Sequence, residues 1–170
     1  MYTACIFAKI AQVNTEHGDF LSAGVSYGTA PIIISEYLQL QKKSEFRYYL
    51  IDPFSGAGRT NYNTDIDLVK SRWNNNILTI WIPEYLSTKA IDRVGRLSFI
   101  HLNTGDFDSE FETLPLLYKL LLPGGFIVQD LYGWQSIEKQ VAIDTLLLQI
   151  GAESFIQVTQ QLIIFKPIYS

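Results

Sequence analysis

Residues 19–31 read DFLSAGVSYGTAP. Residues 19–25 form a short apolar run closed by Gly24 and Ser26, and residues 29–43 carry Ile32, Ile33, Tyr37 and Leu40 at helical spacing. A strand that passes through two glycines into a helix is the unit of an open α/β sheet. The same order returns downstream. Residues 46–52 (FRYYLID) are a second strand stopped by Pro53, and 64–73 a helix. Residues 77–82 (ILTIWI) are a third strand stopped by Pro83, with a short helix over 84–93. Residues 97–103 (LSFIHLN) are a fourth strand. Residues 109–122 form an amphipathic helix with Phe111, Leu114, Leu117, Tyr118 and Leu121 inward, stopped by Pro123-Gly124-Gly125. Residues 126–129 are a fifth strand and 134–150 a helix ending at Gly151. Residues 154–158 and 161–166 pair as a closing hairpin.

Five strand–helix repeats and a hairpin predict a mostly parallel seven-stranded sheet with an antiparallel C-terminal hairpin and helices on both faces. The chain of 170 residues suits a single domain, 1–170. Its 48% hydrophobic and 18% charged residues exclude disorder and supply a sizeable core. A net charge of −4 argues against broad nucleic-acid binding, which needs a basic footprint. The single cysteine, Cys5, excludes an intrachain disulfide framework and a thiolate-rich zinc site, so a reduced cytoplasmic setting is expected. No apolar run is long enough to span a bilayer, and the first residues lack the pattern of a signal peptide. The polar stretch 55–63 (SGAGRTNYN) reads as a long loop.

In a sheet of this kind ligands bind outside the carboxyl ends of the strands, near the point where strand order reverses. The residues that follow each strand are therefore the candidates. Gly24, Ser26 and Gly28 form the turn after the first strand, where small residues let backbone approach a ligand or simply make the turn. Their spacing departs from the dinucleotide fingerprint. Asp52 ends the second strand, at a distance from Gly24 that suits a carboxylate accepting hydrogen bonds from two ribose hydroxyls, or one that simply satisfies its own turn. Three acids, Asp106, Asp108 and Glu110, follow the fourth strand. Asp108 or Ser109 is expected to cap the next helix, which leaves Asp106 as a candidate base or charge partner. Asp130 follows the fifth strand, where it and Asp106 could together approach a hard cation. His101 lies inside a strand and is expected to be buried and hydrogen-bonded, whereas His17 is expected at the pocket rim. No serine elbow or motif-bound cysteine supports nucleophilic catalysis.

These residues resemble those of class I S-adenosylmethionine-dependent methyltransferases, and in particular the macrocin O-methyltransferase-like family. HGDFLSAGVSYGTAP is similar to the family's G-D-F-[VL]-E-x-G-V-x-x-G-x-[SA] motif, and YYLIDPFSG to its I-D-[ST]-F-x-G segment. The stretch from IPEYLSTKAID through IHLNTGDFDSEF and LLPGGFIVQDLYGW is similar to its run of H-[IL]-D-x-D-L-Y-x-S-T, L-x-P-G-G and D-D-Y-G. The resemblance covers residues 18–167. It implies a Rossmann-like methyltransferase fold and transfer of a methyl group from S-adenosylmethionine to a hydroxyl of a sugar or other small-molecule substrate. It further implies that Gly24 and Gly28 cradle the methionine part of the cofactor, that Ser26 of the same turn also binds the cofactor, and that Asp52 holds its ribose. Asp106 is the acid nearest to the family's general base, and Asn103 and Asp130 match two magnesium ligands.

The departures are specific. Ser22 replaces the first-motif acid, Asn103 a carboxylate, and Leu131 the second acid of D-D-Y. In an ungapped match Gly105 takes the base's place and Asp106 falls one residue late. A neutral Asn103 cannot restore the charge that holds hydrated Mg²⁺, so magnesium binding is expected to be weak or absent. These changes motivate an alternative, a cofactor-binding or interaction protein of the same fold that has lost the reaction. The family's N-terminal cover is largely missing, and a homodimer would complete it. A nicotinamide-dependent oxidoreductase is disfavoured by the glycine spacing.

Overall fold

A computed structural model describes residues 2–15, 17–39, 46–54, 65–73 and 77–168. The loop expected over 55–63 and the end of the helix expected to reach residue 43 lie outside them. The chain begins with helix α1 (Tyr2–Asn14). Then come β1 (Asp19–Ala23), α2 (Thr29–Tyr37), β2 (Arg47–Ile51), α3 (Ile66–Arg72), β3 (Leu78–Ile82) and α4 (Thr88–Ile91). The second half holds β4 (Leu97–Leu102), α5 (Phe107–Leu120), β5 (Leu121–Gln129), α6 (Ile137–Gln149), β6 (Glu153–Ile156) and β7 (Leu162–Phe165).

The seven strands form one sheet in the order β3-β2-β1-β4-β5-β7-β6. Every pair from β3 to β5 is parallel, and β7 runs antiparallel to both β5 and β6. The expected architecture is therefore the observed one. The order reverses between β1 and β4, which are hydrogen-bonded neighbours, and this is the switch point of the sheet.

Alternate residues of each strand feed two cores. Leu21, Tyr49, Ile100 and Ile127 meet α4, α5 and α6 through Ala90, Leu114, Leu117 and Ile143. Phe20, Tyr48, Phe99 and Val128 face α1, α2 and α3 through Ala8, Ile34 and Val69. Helix α1 packs against β4 and β5 with a stripe of small residues, Ala4, Cys5, Ala8 and Ala11. That stripe has little hydrophobic contrast, and the sequence reading assigned no helix there.

Three boundaries differ from expectation for local reasons. Helix α5 starts at Phe107 and ends at Leu120, before the proline and glycines expected to stop it. Pro123, Gly124 and Gly125 lie inside β5, because the Gly124 amide donates to Lys166 O at 2.7 Å and the Lys166 amide to Gly125 O at 3.2 Å. Gly124 has φ +82°, and the pairing with β4 shifts between Leu97 and Phe99, so the strand bends without leaving the sheet. The Lys166 ammonium also donates to Leu121 O at 2.9 Å, placing a cation at the carbonyl end of α5. The helix expected over 134–150 is divided into a 3-10 turn, Tyr132–Trp134, and α6. The helix expected over 84–93 contracts to α4, where Ser87 Oγ accepts the Ala90 amide at 3.3 Å.

Candidate functional site

The turn after β1 begins with Gly24, whose amide donates to Ile51 O at 3.0 Å and so prolongs the β1–β2 ladder. Gly24, Ser26 and Gly28 all have positive φ, at 80°, 49° and 81°. Gly28 stands at the N-cap of α2, and Pro31 falls in the first turn of that helix, where an amide hydrogen has no helical acceptor. A Cβ on Gly24 would lie 2.1 Å from Asn103 O, and one on Gly28 would lie 2.8 Å from Val69 Cγ1. Both glycines are thus demanded by the protein's own packing. The space at Gly24 belongs to the backbone that leaves β4.

Asp52 sits half-buried at the tip of β2. Its Oδ2 accepts the Ser26 amide at 2.9 Å, and its Oδ1 accepts the Phe54 amide at 2.8 Å. Ser26 and Phe54 are both non-glycine residues with positive φ, at 49° and 50°. One carboxylate therefore fastens two left-handed turns, one from each side of the β1–β2 tip. An ionised carboxylate offers about four acceptor directions, so two amides leave it capacity for ligand hydroxyls.

Beyond β4 the chain makes a tight turn through Asn103, Thr104 and Gly105. The Asn103 amide donates to Ala23 O at 2.9 Å, holding this turn beside Gly24. Asp106 occupies the N-cap of α5, the position expected for Asp108 or Ser109. Its carboxylate makes no cap bond to a helix amide and instead accepts the Ser109 hydroxyl at 2.9 Å. The early helix start is the reason: with Phe107 as its first residue, Asp108 and Ser109 are already within the first turn.

Glu110 is a residue to which sequence reasoning assigned no role of its own. It is only 4% exposed. Its Oε1 accepts the Thr104 amide at 2.9 Å and the Thr104 hydroxyl at 2.7 Å, and its Oε2 accepts the Gln129 side-chain amide at 2.6 Å. The excess of acids in this turn was the available signal, but nothing in it separated the buried acid from the exposed Asp108.

At the tip of β5, Asp130 faces inward. Its Oδ2 lies 2.9 Å from Nε2 of His101, which is 1% exposed, and its Oδ1 accepts the side-chain amide of Gln161. Burial would raise the Asp130 carboxyl, but the hydrogen bond and attraction of His101, joined by the Gln161 bond, outweigh it and hold the group below its usual value. His101 is buried and bonded as expected. Ser22, also buried, shares a hydrogen bond of 2.9 Å with the Tyr48 hydroxyl. Two residues beyond Asp130, the Tyr132 hydroxyl donates to Asp144 at 2.9 Å; burial and this bond push it up to about 12.

The structure thus brings Gly24, Ser26 and Asp52 into one hydrogen-bonded unit and seats Asn103 against it. It places His17 before β1, at the amino end of that strand, whereas Gly24, Asp52 and Asn103 follow the carboxyl ends of β1, β2 and β4. Among the described residues no group of three or more His, Cys, Asp or Glu side chains could hold a metal ion. Asp130 is the one carboxylate of the pair, already accepting from His101 and Gln161, and Asn103 brings no charge. The pair does not fit a hydrated magnesium ion.

No family model matches the sequence, and no curated protein matches it. Solved structures do match the fold. The O-methyltransferase NovP superposes with a TM-score of 0.75 at 14% identity, over 98% of this chain and 78% of its own. CalS11, a calicheamicin methyltransferase, gives 0.68 at 9% identity, over 96% and 79%. Fibrillarin of Aeropyrum pernix, with S-adenosyl-L-methionine natively bound, gives 0.58 at 16% identity, over 96% and 72%. The chain has a Rossmann-like methyltransferase fold.

Proposed function

We propose that this protein binds S-adenosylmethionine across the tips of β1 and β2 and directs its methyl group to a hydroxyl of a sugar or other small metabolite. The observation that carries this reading is the Asp52–Ser26 hydrogen bond, 2.9 Å long, beside the switch point of a methyltransferase fold. A carboxylate already oriented by two backbone amides is a prepared acceptor for a pair of ribose hydroxyls. The turn from Gly24 to Gly28 runs alongside it and would flank the methionine part.

When bound, the cofactor supplies a methyl on a positively charged sulfur, which departs as a neutral thioether. The protein's share is to hold donor and acceptor in line, which supplies much of the rate of a displacement of this kind. Asp106 is the group proposed to take the proton from the acceptor hydroxyl. The Ser109 hydroxyl donates to it at 2.9 Å and orients the carboxylate at the start of α5. Magnesium has no part in this reading, because Asp130 and Asn103 do not form a site for it.

A second reading is favoured by the engagement of Asp130 with His101 and Gln161: a cofactor-binding protein in which the acceptor side has been rebuilt as structure. Calorimetry with S-adenosylmethionine and with its demethylated product tests both, since each requires binding. A methyl-release assay against sugars and small hydroxylated metabolites then separates enzyme from binder. Absence of binding to either nucleoside overturns both readings. The reduced cytoplasmic setting suggested by the single buried Cys5 accords with a small-molecule enzyme.

A further inference from the structure

We propose that Glu110 is a positioning residue of this site, clamping the turn that carries Asn103 and Asp106 to the last residue of β5. The inference rests on the methyltransferase reading given above and deepens it.

A carboxylate buried on the core-facing side of a helix is costly unless its oxygens are fully engaged. Glu110 meets that condition through two different elements. Thr104, from the β4–α5 turn, gives it an amide and a hydroxyl hydrogen, and Gln129, from the end of β5, gives it a side-chain amide hydrogen. The chain of bonds continues. Thr104 Oγ1 donates to Glu110 and accepts the Asp106 amide at 3.1 Å. Asp106 in turn is the acceptor of Ser109, one residue before Glu110. The next residue after Gln129 is Asp130, whose amide donates to Leu102 O at 3.0 Å. One side chain therefore ties together the two strand tips on the acceptor side, and through Asn103 the glycine turn packed against it. An apolar residue at position 110 could fill the core but could not set this register.

Gln129 supplies a further detail. It is 2% exposed, and its Oε1 has no hydrogen-bond partner among the described residues. A glutamine at position 110 could keep its carbonyl on Thr104 and offer its amide hydrogens to that oxygen after the Gln129 amide turns over. Glu110→Gln is thus the variant that keeps the clamp and removes its charge, whereas Glu110→Ala removes both.

The test combines two readouts on the full-length chain. Hydrogen exchange of residues 103–107 reports the clamp itself, and calorimetry with the demethylated cofactor product reports the site. In Glu110→Ala, at temperatures where circular dichroism shows the fold intact, the Thr104 and Asp106 amides should exchange at least tenfold faster and the product should bind at least tenfold more weakly. Glu110→Gln should restore both to within about threefold of the parent. Should Glu110→Ala fail to fold, Thr104→Val tests the same clamp, with selective loss of Asp106 amide protection expected. Parent-like exchange over 103–107 in the folded Ala variant, or in Thr104→Val, overturns the proposal. So does a Gln variant as defective as the Ala variant. If the parent protein does not bind the product at all, the methyltransferase reading and the site role built on it fall, while the exchange data still decide whether the clamp exists.

Discussion

The carboxylate of Asp52 accepts the backbone amide of Ser26 at 2.9 Å, joining the tip of β2 to the turn after β1 across 26 positions of sequence. Its other oxygen accepts the Phe54 amide at 2.8 Å. Asp52→Asn replaces one acceptor oxygen by a donor, so one of these amides must face another N–H. The expected cost in stability is about 1 kcal/mol, because part of the unit is open to water. The expected cost in affinity for S-adenosylmethionine is tenfold or more. Urea denaturation gives the first quantity and titration calorimetry the second; unchanged affinity in a folded variant would count against the ribose role of Asp52.

Gly24 and Gly105 share a left-handed backbone, with φ of 80° and 70°, but differ in surroundings. A Cβ on Gly24 meets Asn103 O at 2.1 Å, whereas one on Gly105 meets nothing within 4 Å. Gly24→Ala should therefore lose about 3 kcal/mol or more from strain plus overlap. Gly105→Ala should lose only about 1 kcal/mol, the strain partly offset by reduced freedom of the unfolded chain. Denaturant midpoints of the two variants, measured side by side, check the ordering.

Asp130 has a carboxyl held below its ordinary value of 3.8 in the folded protein. A depressed acid contributes stability above its unfolded pKa and loses it as pH falls through the folded one. The stability difference between the parent and Asp130→Asn should shrink as pH falls below about 4. A series of urea melts across this range is the measurement. A difference that does not shrink below about pH 4 would contradict the lowered Asp130 carboxyl.

Asp106→Asn should leave cofactor affinity within about twofold of the parent and, once an acceptor is found, slow methyl transfer by about a hundredfold or more, the usual weight of a positioned base. Single-turnover kinetics with labelled cofactor separates the two effects. Equal rates in parent and variant would remove Asp106 from the chemistry.

The fold was legible because each parallel strand is an apolar run followed by glycine, proline, asparagine or an acid, and these breaks mark the carboxyl edge where a site must lie. Asp52 could be chosen on that basis before its partners were known. The acid-rich turn after β4 was less legible. Asp106, Asp108 and Glu110 are alike as residues, and only the start of α5 at Phe107 decides which of them caps, which faces solvent and which is buried. The inward turn of Asp130 depends on His101 and Gln161, 29 and 31 positions away, and no local pattern carries such a pairing. Helix α1 was missed because alanine contributes burial without the contrast on which periodicity depends.

The insertion of β7 between β5 and β6 has a consequence for biosynthesis. Ile163 and Ile164 are completely enclosed, and the flank of β5 from Phe126 to Gln129 finds its partner only in Leu162–Phe165. A nascent polypeptide can assemble the parallel half of the sheet while still on the ribosome, but it must carry a bare β5 margin until these residues emerge from the exit tunnel. Chains released by premature termination before Leu162 would expose that margin permanently, which makes them natural clients for chaperones and proteases.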